Sequence, residues 1–126
     1  MVNRESLLKW ALIAAGAGFL LIYPLAIVWP SGWSWHLGPP YESQYLMMII
    51  GVYAVLGVFL IRASRNPQAN VSLIWFTVWS NLVHAGIMAV QSLKGAGHMG
   101  HLLGDVPALV LVAIVLAALV SSPRKA

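Results

Sequence analysis

The sequence predicts an all-α integral membrane protein: an antiparallel four-helix bundle with both termini cytoplasmic. Three observations carry that expectation. The 126 residues are 60% hydrophobic and only 8% charged, with a mean hydropathy of +0.84, whereas about a quarter of the residues of a soluble domain carry charge. Four apolar stretches, roughly residues 10–29, 45–61, 72–93 and 106–121, approach the 17 to 25 residues that a hydrocarbon core requires. The basic residues alternate with them: Arg4, Lys9, Arg62, Arg65, Arg124 and Lys125 fall on one side, and Lys94 falls alone on the other. Positive residues stay inside, so the loops near residues 29–44 and 94–105 are expected outside, which in a bacterium is the periplasm.

Residues 1–126 are thus read as a single multi-pass domain of the bacterial inner (cytoplasmic) membrane. Connections of about 15, 10 and 12 residues make consecutive helices antiparallel neighbours. The first stretch opens like a signal peptide, with basic residues before an apolar centre. It then continues to Trp29 with no Ala-x-Ala cleavage pattern, so it is expected to remain as a span. Pro24 should kink it, because proline cannot donate to the preceding turn. Residues 30–40 form an irregular loop, and Trp29, Trp33 and Trp35 beside His36 suit an anchor at the headgroup level. A lid that brings His36 or Glu42 over a pocket is the alternative.

The third span carries the most informative pattern. Thr77, Asn81, His84, Met88 and Gln91 recur at helical spacing on one face, with His84 near mid-span, where an ionisable side chain is expensive. That stripe is expected to face protein, water or ligand. His84, Asn81 and Gln91 are the candidate cofactor-binding residues, beside Trp75, Trp79 and Tyr53. An interhelical hydrogen bond from His84 is the plainer alternative. Beyond the helix, glycines 95, 97, 100 and 104 break the chain and His98, His101 and Asp105 follow at intervals of three and four. Two imidazoles and a carboxylate suit a divalent transition metal, with Gln91 and Glu42 as supporting groups. Haem and quinone are the other cofactors weighed. A hydrated turn, with Asp105 as N-cap and Pro107 in the first turn of the last helix, explains the same residues without a ligand. The fourth span has no polar group beyond Asp105 and is read as packing.

The chain has no cysteine, which excludes disulfides, thiolate ligands, iron–sulfur clusters and cysteine nucleophiles. No basic stretch is dense enough for nucleic acid, so the net charge of +4 serves topology and anionic lipid. Residues 51–60 (GVYAVLGVFL), 62–67 (RASRNP), 79–91 (WSNLVHAGIMAVQ) and 101–105 (HLLGD) resemble uncharacterised small bacterial membrane proteins, in a layout similar to the DoxX-like four-helix proteins. The resemblance implies fold and topology and marks His84, Gln91, His101 and Asp105 as motif members, without a reaction. Three functions follow: an accessory or scaffold subunit docked on other membrane subunits or on its own copies; a metal, haem, quinone or lipid binding protein with a redox role; or a small transporter acting as an oligomer. Whether the protein is an enzyme stays open at this point.

Overall fold

The structure is a computed structural model that describes residues 3–94 and 99–120. Among these residues there are helices and turns and no strand. Helix α1 spans Arg4–Leu20, α2 Ile22–Val28, α3 Pro30–Trp33, α4 Gln44–Ala63, α5 Val71–Lys94 and α6 Asp105–Val120, with 3-10 turns at Pro40–Glu42, Pro67–Asn70 and Met99–Leu102.

Local chemistry sets these bounds. Asn3 starts α1, its side-chain oxygen accepting the Ser6 N–H at 2.7 Å, and Ser43 starts α4 by accepting from Leu46 at 3.2 Å. Pro24 has no N–H to offer the Leu20 carbonyl four residues earlier, so the helix breaks at Leu21 and α2 leaves α1 at 54°. The first apolar stretch is therefore a bent pair that starts at Arg4, before residue 10, and not one continuous rod. The loop expected at 30–40 holds the single turn of α3. The other helices exceed the ranges read from the sequence by one or two residues at most of their ends.

Three helical stretches are long and apolar enough to cross a membrane: Gln44–Ala63, Pro67–Lys94 and Met99–Val120. The bent pair α1 and α2 makes a fourth if it counts as one span. Their outward faces carry Val52, Phe76, Val83, Leu111 and Ile114, all exposed, which is the surface of a protein solvated by hydrocarbon.

Helix α1 packs on α4 and α6, and α5 packs on α6. Leu12, Leu60, Ile74, Ala113 and Leu116 meet in the core and are almost wholly buried. At the α1–α4 crossing the backbones touch: a Cβ at Gly57 would stand 2.5 Å from the Gly16 carbonyl oxygen, and one at Gly16 would stand 2.5 Å from that of Gly57. Glycine is required there by a neighbour's backbone, as in close-packed membrane helices. The same device closes one end of the molecule. Gly100 and Gly104 lie against the carbonyls of Ser31 and Gly32, seating the 3-10 turn Met99–Leu102 on α3. These elements, with residues 34–43, form a cap over that end.

Candidate functional site

Two polar clusters sit beneath and within the cap, with a small cavity between them. The first is built on His101, which is 1% exposed. Its Nε2 stands 3.1 Å from the Ser34 carbonyl oxygen. A carbonyl can only accept, so Nε2 carries a hydrogen and donates. Its Nδ1 lies 3.0 Å from both carboxylate oxygens of Asp105. That contact needs one proton between ring and carboxylate, because lone pairs would otherwise face each other. The Trp35 indole N–H donates to Asp105 Oδ2 at 2.9 Å, and the Trp35 ring stacks on His101 with centroids 3.8 Å apart and planes at 19°. Four groups from residues 34, 35, 101 and 105 thus tie the cap to the first turn of α6.

This cluster alters the reading of Asp105. Asp105 is the first residue of α6, and its carboxylate takes the Val106 backbone N–H of that first turn while also turning to Trp35 and His101. Both ring nitrogens of His101 are likewise engaged within the protein. His98, the third expected metal ligand, lies outside the described residues. Among the described residues no group of three or more histidine, cysteine, aspartate or glutamate side chains stands close enough to hold a metal ion. Glu42, expected to support His101, stands instead near His36, with Oε2 3.8 Å from Nε2 in a half-exposed contact.

The second cluster lies on α4 and α5. The Tyr53 hydroxyl is 3.1 Å from His84 Nδ1, the two rings meet edge to face at 5.4 Å, and Phe19 of α1 packs against Tyr53 at 5.0 Å. Tyr53 has no other hydrogen-bond partner among the described residues. The pair has two senses: the hydroxyl donates to Nδ1, or Nδ1–H donates to the hydroxyl, whose own hydrogen then turns to the space Tyr53 shares with Asp105. In the first sense His84 Nε2 carries the ring hydrogen, and in either sense Nε2 has no partner among the described residues.

The stripe on α5 divides. Thr77, Asn81 and Met88 are buried, His84 is intermediate and Gln91 is exposed. Each seven-residue step on a straight helix falls about 20° short of two full turns. His84 and Gln91, one and two such steps beyond Thr77, therefore drift off a packing face that continues through Ile74, Val78, Ala85 and Ser92. Thr77 and Ser92 return their hydroxyls to their own helix, at Leu73 and Met88. Asn81 is fully buried, and neither amide atom has a partner among the described residues.

His84 borders two spaces. Inward is a cavity of about 40 Å³ lined by Trp33, Trp35, Tyr53, His84, Met88 and Asp105, roomy enough for a water or two. Outward is a shallow, open groove of about 550 Å³ on the face of α5 alone, lined by Phe76, Trp79, Ser80, Val83, His84 and Gln91. A further depression of about 650 Å³ lies in the cap, bordered by Tyr23, Ser34, His36, Pro40 and Tyr41. Of the predicted residues, the structure brings His101 to Asp105 and places His84 and Gln91 along one groove. Asn81 is enclosed behind them. Trp35 and the Ser34 carbonyl were missed as cluster members. The only sequence signal for them was the concentration of tryptophan beside His36.

The model of a family of unknown function, DUF6632, matches residues 3–124. The chain belongs to this family. No curated protein and no solved structure matches it. DUF6632 is an uncharacterised family, in line with the resemblance carried by residues 51–105, and membership brings no reaction with it. The chemistry must be read from the side chains: a fully engaged clamp at His101, and an imidazole at His84 with a ring nitrogen to spare.

Proposed function

We propose that this DUF6632 protein is a lipid-accessible binding protein of the bacterial cytoplasmic membrane, which takes the polar head of a lipophilic molecule at His84. The observation that carries this reading is the position of His84: its Nδ1 is held by Tyr53, and its ring borders the outward groove between Trp79 and Gln91. An ionisable side chain kept at membrane depth, braced by a tyrosine and not enclosed, is arranged to meet something from the membrane. In this reading the protein is an antiparallel four-span bundle of DoxX-like layout, both termini are cytoplasmic, and the cap is periplasmic. The six-to-one distribution of basic residues supports that orientation. The cap clamp at Trp35, His101 and Asp105 is structural here, holding α6 and the cap in register above the cavity.

The test is to purify untagged protein in mild detergent and extract what it retains, comparing wild type with His84→Leu and Thr77→Val. Thr77 is buried and bonded to its own helix, so its replacement leaves the groove unchanged. A retained lipophile near one per chain should be lost from His84→Leu and kept in Thr77→Val. Identical extracts from all three would remove the reading.

The accessory-subunit reading has one observation of its own. Helix α6 exposes Leu111 and Ile114 and bears no polar side chain from Val106 to Val120, a face as suited to a partner helix as to lipid. Stoichiometric co-purification of a second membrane protein would favour it. Metal at His98, His101 and Asp105 has less support, because His101 offers no uncommitted ring nitrogen.

A further inference from the structure

Resting on the proposed site at His84, we infer that its ligand is a neutral, planar, carbonyl-bearing lipophile of the quinone class, bound laterally from the membrane and not a phospholipid. Depth makes the first selection. His84 stands ten residues before Lys94 in the span Pro67–Lys94, which places it about 15 Å along the helix from that end. The midpoint of that 28-residue span falls between residues 80 and 81, about 5 Å from His84 along the axis, so in a hydrocarbon core about 30 Å thick the imidazole lies well inside the core. A phospholipid keeps its ester carbonyls and headgroup at the interface and cannot bring them to His84. A quinone has no anchored headgroup, and its ring moves through the hydrocarbon layer.

The hydrogen-bond sense makes the second selection. With the Tyr53 hydroxyl donating to Nδ1, His84 presents an N–H at Nε2, and the ligand atom that meets that N–H is an acceptor. A quinone carbonyl is such an atom, whereas an aliphatic chain offers none. Charge makes the third selection. The groove is lined by Phe76, Trp79, Ser80, Val83, His84 and Gln91 together with Ile87 and Met88, with no acidic or permanently basic side chain, so an ionic head would be buried there without a counter-charge. Shape makes the fourth. Trp79 and Phe76 stand one and two turns from His84 on the same groove, and their flat faces suit an aromatic or quinonoid ring. The assignment concerns binding only, and no electron transfer is part of it.

The experiment titrates purified wild-type protein with decylubiquinone and, separately, with dioleoylphosphatidylcholine, reading quenching of tryptophan fluorescence and calorimetric heat. Decylubiquinone should bind saturably near one per chain. His84→Leu should weaken it by about threefold to tenfold, the range of one hydrogen bond. His84→Gln keeps an N–H donor and should retain most of the affinity. Val83→Trp fills the groove from a position that is 61% exposed, and should abolish binding in a protein with unchanged thermal stability. Decylubiquinone affinity that is unchanged in both His84→Leu and Val83→Trp would overturn the assignment. A His84-dependent lipophile of another class in the extract, with no decylubiquinone binding, would overturn the quinone class and leave the site standing. No His84-dependent ligand in either experiment would remove the site and the assignment together.

Discussion

Removing the His101 side chain tests the clamp that joins the cap to α6. In the native cluster, Asp105 is 6% exposed and satisfied by Trp35 and by His101 Nδ1. His101→Ala leaves that carboxylate buried with only the indole N–H and the Val106 backbone N–H, and breaking a buried pair in this way is expected to destabilise the fold by about 3 to 5 kcal/mol. Asp105→Asn should be far milder. Oδ2 already accepts from Trp35 and can remain a carbonyl oxygen, while the amide nitrogen takes the place of Oδ1 and donates to Nδ1 of a neutral imidazole. Both hydrogen bonds survive, so the loss should not exceed about 1 kcal/mol. Adding Asp105→Ala to His101→Ala should restore part of the stability, since it removes the orphaned charge. The assay is unfolding in mixed micelles with increasing dodecyl sulfate, followed by far-ultraviolet circular dichroism. His101→Ala within about 1 kcal/mol of wild type would refute the clamp. Asp105→Asn as damaging as Asp105→Ala would show that the negative charge itself is needed, as the partner of a His101 protonated on both nitrogens.

Gly57→Ala sets a Cβ against the Gly16 carbonyl and should cost about 1 to 3 kcal/mol in the same assay, while Gly51→Ala, which meets open space, should be neutral or stabilising; equal effects would refute the close crossing. Asn81→Leu removes an amide that has no partner among the described residues and should leave stability unchanged or raise it by about 1 kcal/mol; a clear loss would show that the amide is satisfied by bound water. Leu37 is 94% exposed in the cap, and the chain has no cysteine, so Leu37→Cys should react with an impermeant maleimide applied to intact spheroplasts. Labelling only after the membrane is opened would reverse the orientation.

Helical periodicity, span length and the break at Pro24 are local or compositional, and they were legible from the residues alone: an all-helical chain read as four spans, of which three are continuous helices able to cross a membrane and the first is a bent pair. His84 was legible as well, because an ionisable residue amid apolar neighbours stands out without a structure. Tyr53 was named among its neighbours with Trp75 and Trp79, but not as the one that bonds it. Tyr53 lies thirty-one positions away on another helix, and helix rotation and crossing angle decide which side chains meet across such a separation. The same holds for Trp35, which looked like an interfacial anchor and is bonded across seventy positions to Asp105. Spacing suggested a metal set at His98, His101 and Asp105. The tertiary structure gives His101 to the Ser34 carbonyl and Asp105, because Gly100 and Gly104 let the turn settle directly on α3. Drift of the helical repeat, too small to notice over one heptad, decided which stripe residues were enclosed and left His84 and Gln91 at the groove. Sequence thus determined the solvent in which this protein lives and the residues able to do chemistry. Backbone approach at glycine and the rotation of α5 decided which of them hold the fold together and which one borders the outward face of α5.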